Sequence, residues 1–125
     1  MPIVSEVVKS PKGVRYFRAE SRGAVSGADA HSMMDPLRVG AEHHELALLA
    51  VVADGSDFTP EARKVFGAND PERNAKNVPT ALVVRSAPLR VMMGFVFKMA
   101  GASERSRVFA NEADAQAWLF PKIEN

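Results

Sequence analysis

Cysteine is absent from this chain, and tyrosine and tryptophan occur once each. Without a thiol there is no disulfide framework, no cysteine-ligated zinc and no thiolate nucleophile. A bias of charge is missing too: 16 basic residues face 15 acidic ones, for a formal net charge of +1. Nucleic-acid binders gather their positive charge on one face or stripe. The clearest basic stretch here, Lys12, Arg15 and Arg18, is spread through an expected hairpin and followed at once by Glu20. No nucleic-acid partner is expected. Met1 to Ser10 has no apolar run behind a basic start, so no secretory leader is expected either. Leu89 to Ala100 is strongly apolar, but it carries Arg90 and Lys98 and is far shorter than the roughly 20 residues of a membrane span. No membrane span is expected, and a reducing cytoplasm is the expected location. Gly-rich phosphate loops and Gly-x-Ser-x-Gly elbows are also lacking. The expectation is a protein with no cofactor, no metal and no catalytic residues, hence not an enzyme.

What is present is ordinary globular material. The chain has 125 residues, 46% of them hydrophobic and 25% charged, which suits one domain over residues 1–125. Ile3 to Lys9 and Val14 to Glu20 are β-rich runs separated by Ser10-Pro11-Lys12-Gly13, the composition of an antiparallel hairpin turn. Ser26 is a candidate N-cap for a helical stretch running through Met33, Met34, Leu37, Val39 and His43, with a kink or restart expected at Pro36. Leu46 to Ala53 is a continuous apolar run ending at Asp54-Gly55, as in a strand covered on both faces. Thr59-Pro60-Glu61 reads as a capping hydroxyl, a proline at the first helical position and a carboxylate matched to the helix dipole. That helix should turn Ala62, Val65 and Phe66 inward and stop near Gly67. Asn69 to Asn77 is polar loop, and Thr80 to Val84 is a second buried strand. A helix from Leu89 to about Ala100, a short strand at Ser106 to Phe109, and a helix from Glu112 to Leu119 capped by Asn111 complete the chain. The order β-β-α-β-α-β-α-β-α predicts an α/β fold, with a mixed, mostly parallel sheet, helices on its faces and an N-terminal hairpin.

Two clusters could hold chemistry. Glu42-His43-His44-Glu45 is the densest group of metal-ligating types. Adjacent histidines on a helix point about 100° apart, so a solvated helix end is favoured over a metal site, and His31 is remote. Asp54, Ser56 and Asp57 follow a central strand, where open α/β sheets bind ligands. No histidine or lysine lies near them in sequence to complete a constellation, so a turn is favoured over acid–base work.

The helix after Pro88 is the unusual element. Leu89, Val91, Met92, Met93, Phe95, Val96, Phe97 and Met99 cover most of its circumference, more than one packed face requires. These residues are compatible with burial inside the monomer, with docking against a second copy, or with a small apolar or lipid-like ligand beneath the helix. A homodimer through these eight residues is the leading expectation and the ligand the alternative. Trp118 is expected to anchor the last helix in the core, with an interface role as the alternative.

From about Leu46 to Phe120, several phrases occur in order: Ala53-Asp54, Thr59-Pro60-Glu61-Ala62-Arg63, Val78 to Val84, and Ser86-Ala87-Pro88-Leu89-Arg90. They are followed by Arg107-Val108-Phe109, Asn111-Glu112-Ala113-Asp114-Ala115, and Ala117-Trp118-Leu119. Together they resemble the STAS-like domains of the sporulation anti-sigma-factor-antagonist (SpoIIAA-like) fold. The pattern is most similar to small bacterial proteins grouped with STAS and lipid-transfer (CRAL-TRIO-type) domains. The resemblance implies a STAS architecture, a role as a signalling or protein-interaction module, and a regulatory protein partner. Switch-type members present a serine in an Asp-Ser-Ser/Thr-Gly-like turn. Here the turn reads Asp54-Gly55-Ser56-Asp57-Phe58-Thr59, which leaves Thr59 as the candidate phosphoacceptor at a helix start, against a purely capping role.

Overall fold

The computed structural model describes residues 3–35, 46–53, 57–66, 78–99 and 105–124. The hairpin forms where its composition places it. Strands β1 (Ile3–Lys9) and β2 (Arg15–Ser21) pair antiparallel from Ile3↔Ser21 to Lys9↔Arg15. Gly13 takes φ 84°, a left-handed conformation that favours glycine, and its N–H donates to the Ser10 carbonyl at 2.8 Å. β2 then pairs parallel with β4 (Leu48–Val52), β4 with β6 (Thr80–Val84), and β6 with β7 (Ser106–Phe109). The five-stranded sheet has the order β1-β2-β4-β6-β7.

Two short strands were not anticipated from sequence. β3 (Ala24–Val25) and β5 (Asp57–Phe58) form a separate parallel ladder. The Asp57 N–H donates to the Gly23 carbonyl at 2.8 Å and the Thr59 N–H to the Val25 carbonyl at 3.0 Å. This ladder brings together α1 (Gly27–Met34) and α2 (Pro60–Phe66), which pack on one another. Gly27 makes the approach close enough: a Cβ there would sit 2.8 Å from the Glu61 Cβ. Ser26 caps α1 in a full capping box with Asp29, the Ser26 hydroxyl accepting from the Asp29 N–H at 3.2 Å and the Asp29 carboxylate accepting from the Ser26 N–H at 3.0 Å. α1 ends at Met34, and the expected continuation past Pro36 lies outside the described residues.

Alternation along the strands divides the core in two. On one face Phe17, Ala19 and Leu48 pack with Ile3, Val25, Ala30 and Met33 of α1, and Ala62 of α2. On the other face Tyr16, Leu49, Ala81 and Val83 pack with Ala115 and Leu119 of α4 (Glu112–Glu124). α3 (Ala87–Met99) packs on β6 and β7. Of the inward residues expected on α2, Ala62 is fully buried, whereas the side chains of Val65 and Phe66 lie outside the described set.

Two helices run further than composition suggests. α3 starts at Ala87 because the Ser86 hydroxyl accepts from the Leu89 N–H at 3.4 Å and the Ser86 carbonyl from the Arg90 N–H at 2.9 Å. α4 continues through Pro121 to Glu124 rather than stopping at Leu119. Proline removes one backbone donor in that turn. Phe120 and Ile123 still pack on the core, and the Glu124 carboxylate accepts from the Ser10 hydroxyl at 2.6 Å and the Lys12 N–H at 3.0 Å. Those long-range contacts hold the last turn.

Candidate interaction surface

The helix α3 has an inner and an outer side, and both are apolar. Leu89, Arg90, Met93 and Gly94 are half-buried. On the opposite side Val91, Met92 and Phe95 are 76%, 42% and 63% exposed, and Pro88 is exposed beside them. Positions 88, 91, 92 and 95 stand at i, i+3, i+4 and i+7, so they share one outward stripe. Of the eight interface residues expected from sequence, the structure therefore groups Val91, Met92 and Phe95 on the outer face and leaves Leu89 and Met93 half-buried. The side chains of Val96, Phe97 and Met99 lie outside the described residues. The Arg90 guanidinium donates to the Val84 and Arg85 carbonyls at 2.9 and 2.6 Å, satisfying backbone acceptors at the end of β6. Exposed Lys98 stands in the last turn, and the helix contains no carboxylate.

Of the other candidate sites, for phosphate, acid–base work or metal, the described residues include only Thr59, Asp57 and His31. The Thr59 hydroxyl accepts from the Ala62 N–H at 3.2 Å and so caps α2. Asp54 and Ser56 lie outside the described residues, and Asp57 is exposed on the β5 strand rather than free in a loop. Glu42 to Glu45 also lie outside them, and His31 is exposed. Among the described residues no group of three or more His, Cys, Asp or Glu is placed to hold a metal ion. No helix among them is long and apolar enough to cross a membrane.

One charged network escaped the sequence reading. The Arg18 Nε and Nη2 donate to the two carboxylate oxygens of Glu112 at 2.8 and 2.9 Å, which clamps the first turn of α4 onto β2. Arg18 Nη2 also reaches Glu20 at 3.3 Å, and Arg22 meets Glu20 at 2.7 Å. The Arg18 hydrogen bond holds the Glu112 carboxyl below its usual range, and Glu112 in turn holds the Arg18 guanidinium above its own. Glu20 is lowered first by its hydrogen bond from Arg22 and then by that from Arg18, against some desolvation. Burial, then the nearby Glu112 charge, raise the Tyr16 phenol. The clamp joins residues 94 positions apart, so no local sequence pattern points to it.

The network ends at a shallow depression of about 250 Å³ over the carboxyl ends of β2, β4 and β6, lined by Glu20, Arg22, Val51, Val52, Ala53, Val83 and Arg85. Only the amino half of β4 is sealed: Leu48 and Leu49 are buried, whereas Ala50, Val51 and Val52 are half-exposed. The apolar run therefore fits a strand covered on both faces for about half its length.

No family model matches the chain, and no curated protein matches it in sequence. Among solved structures it is similar to an uncharacterized protein from the DUF3478 family with a SpoIIAA-like fold, from Shewanella loihica. The TM-score is 0.62 at 15% identity, over 94% of this chain and 93% of that one. At that identity the likeness is one of fold. A mostly parallel mixed sheet, an N-terminal hairpin and, among the described residues, four flanking helices give this chain a SpoIIAA-like fold.

Proposed function

We propose that the chain is a single-domain, non-catalytic regulatory or protein-interaction module of the STAS-like type, and that its outward α3 stripe docks a second copy of itself. The observation that carries this reading is the exposure of Val91, Met92 and Phe95 side by side. Exposed apolar side chains grouped in this way mark interaction surfaces more often than scattered ones do. A two-fold axis across α3 would lay the stripe of one copy on the same stripe of the other, a self-complementary contact. A contact through one 13-residue helix per copy falls at the small end of interface sizes, among weak and transient associations. The dimer is therefore expected to dissociate in the micromolar range.

The non-catalytic reading rests on where the perturbed groups sit. Glu20, Asp29, Glu112 and Glu124 all have lowered pKa values, and each is explained by a structural hydrogen bond or ion pair. The two that meet a hydroxyl, Glu124 with Ser10 and Asp29 with Ser26, are engaged in holding the end of α4 and capping α1.

Native mass spectrometry of freshly purified protein reads oligomer, bound ligand and phosphate together. A dimer without added mass supports the reading. An apolar molecule carried by a monomer would replace it with the ligand-binding alternative, and a phosphate on Thr59 would restore the switch.

A further inference from the structure

The sheet ends at β1, and no described strand lies beyond it. Ile3 to Lys9 pair with β2 in unbroken register, without a bulge or a proline. Such an edge presents a row of unpaired backbone groups to another chain. Which groups these are follows from the hairpin. The Ser10 N–H donates to the Val14 carbonyl at 2.8 Å, so that pair is a hydrogen-bonded one. Antiparallel pairs alternate, so Val8, Glu6 and Val4 exchange bonds with β2, whereas Lys9, Val7, Ser5 and Ile3 turn their N–H and C=O groups outward. β2 agrees with this phase. The Phe17 N–H donates to the Ala47 carbonyl and the Ser21 carbonyl accepts from the Ala53 N–H, both on the β4 side.

The side chains along the edge divide by face. On the α4 face Val4 is 65% exposed and Val8 half-buried, with exposed Glu6 between them. On the opposite face exposed Lys9 stands directly across from exposed Arg15, and exposed Lys12 occupies the turn between them. Like charges directly opposite in an antiparallel pair are destabilising. Among the described residues neither Lys9 nor Arg15 enters an ion pair. Glu124, which accepts from the Lys12 N–H, offsets one of the three charges. The open edge therefore carries a positive surplus at its hairpin end.

We infer that the β1 edge accepts an extended acidic segment of another protein as an added antiparallel strand. Its backbone bonds to Ser5, Val7 and Lys9, a carboxylate lies opposite Lys9 and beside Arg15, and apolar side chains on its other face pack on Val4 and Val8. A second copy of β1 does not meet this need. Glu6 is the one carboxylate of the strand and lies on the face away from Lys9, and paired residues share a face. The edge is on β1 and the stripe on α3, so the two readings fail separately.

The test is an amide NMR titration of the full chain, with hydrogen exchange, using a capped hexapeptide that alternates valine and aspartate. Its valine–lysine counterpart is the parallel arm. At nine-tenths saturation the aspartate peptide should slow exchange of the Ser5, Val7 and Lys9 amides about tenfold, with no comparable change at Glu6 and Val8, already bonded to β2. The lysine peptide should leave all of them unchanged. Ser5→Pro removes an outward N–H at an edge position, where proline is tolerated, and should abolish binding. Lys9→Gln, on an exposed side chain, reads the charge independently and should weaken binding about fivefold, the scale of an exposed ion pair. Equal slowing at alternate positions, equal binding of the lysine peptide, or undiminished affinity in Lys9→Gln or in folded Ser5→Pro would each overturn the inference. So would the absence of any β1 response at millimolar aspartate peptide.

Discussion

Helices α3 and α4 have the same length, 13 residues each, and opposite relations to the rest of the molecule. α4 is tied down along its whole course. Asn111 caps it, Arg18 clamps its first turn, Ala115 and Leu119 are fully buried, and Ser10 and Lys12 hold its last carboxylate. Aromatic contacts add to this, Tyr16 on Phe120 at 5.5 Å and Phe109 on Trp118 at 5.7 Å, with the Lys122 ammonium 4.9 Å from the Trp118 ring. α3 is the more hydrophobic helix, yet it leaves Val91 and Phe95 mostly in solvent. The contrast separates two uses of apolar residues. In α4 they are consumed by the monomer's core, and in α3 an outward set exceeds what the monomer can bury.

The sharpest way to break that comparison is to cut each helix and measure stability. Leu119→Ala removes a fully buried side chain between α4 and the sheet, and should cost about 2–5 kcal/mol in urea unfolding. A loss no larger than that of a surface substitution would contradict the description of α4 as core.

Next in size is the clamp. Glu112→Gln leaves the half-buried Arg18 without its charged partner and should cost about 1–2 kcal/mol, between an exposed pair and a buried charged hydrogen bond. The sign of the pH dependence follows from the lowered Glu112 pKa. A carboxyl depressed in the folded state contributes stability that is present above its unfolded value, about 4.3 for glutamate, and is lost as pH falls through the folded value. Wild-type stability should therefore decline below that range, and Glu112→Gln should show a shallower decline at constant ionic strength. Equal slopes would sink the clamp.

These two residues also show what the sequence made legible. Leu119 could be placed in the core from its spacing to Ala115, and Asn111 from its position before an acidic turn. The hairpin, β6 and β7 were equally local, because Gly13 and the apolar runs state their own geometry. Arg18 with Glu112 was not legible, since its partner lies on the far side of the chain. Neither was the β3–β5 ladder, because two-residue strands are too short to show a period. The end of α4 was misplaced because Pro121 is a local stop signal overruled by the packing of Phe120 and Ile123. For the candidate surface, the over-apolar character of α3 was visible in composition. Which residues face outward required the sheet to be in place.

The caps give a smaller effect and sharpen the comparison. The Asn111 side chain accepts from the Asp114 N–H at 2.8 Å, while Ser86 accepts from the Leu89 N–H at 3.4 Å. Asn111→Ala should cost about 1 kcal/mol, and Ser86→Ala distinctly less, in the same unfolding assay. The reverse order would mean that α3 is the better anchored helix.

Smallest in stability, and largest in consequence, is Phe95→Glu. A substitution on an exposed face should change unfolding by no more than about 0.5 kcal/mol when measured under monomeric conditions. It should nevertheless abolish self-association, because two carboxylates would meet in an apolar contact. The most direct measurement is sedimentation velocity of wild-type protein beside Phe95→Glu at tens of micromolar. The account predicts a dimeric species for wild type and a monomer for the variant. A wild-type monomer at that concentration, or a dimer that survives Phe95→Glu unchanged, would contradict it.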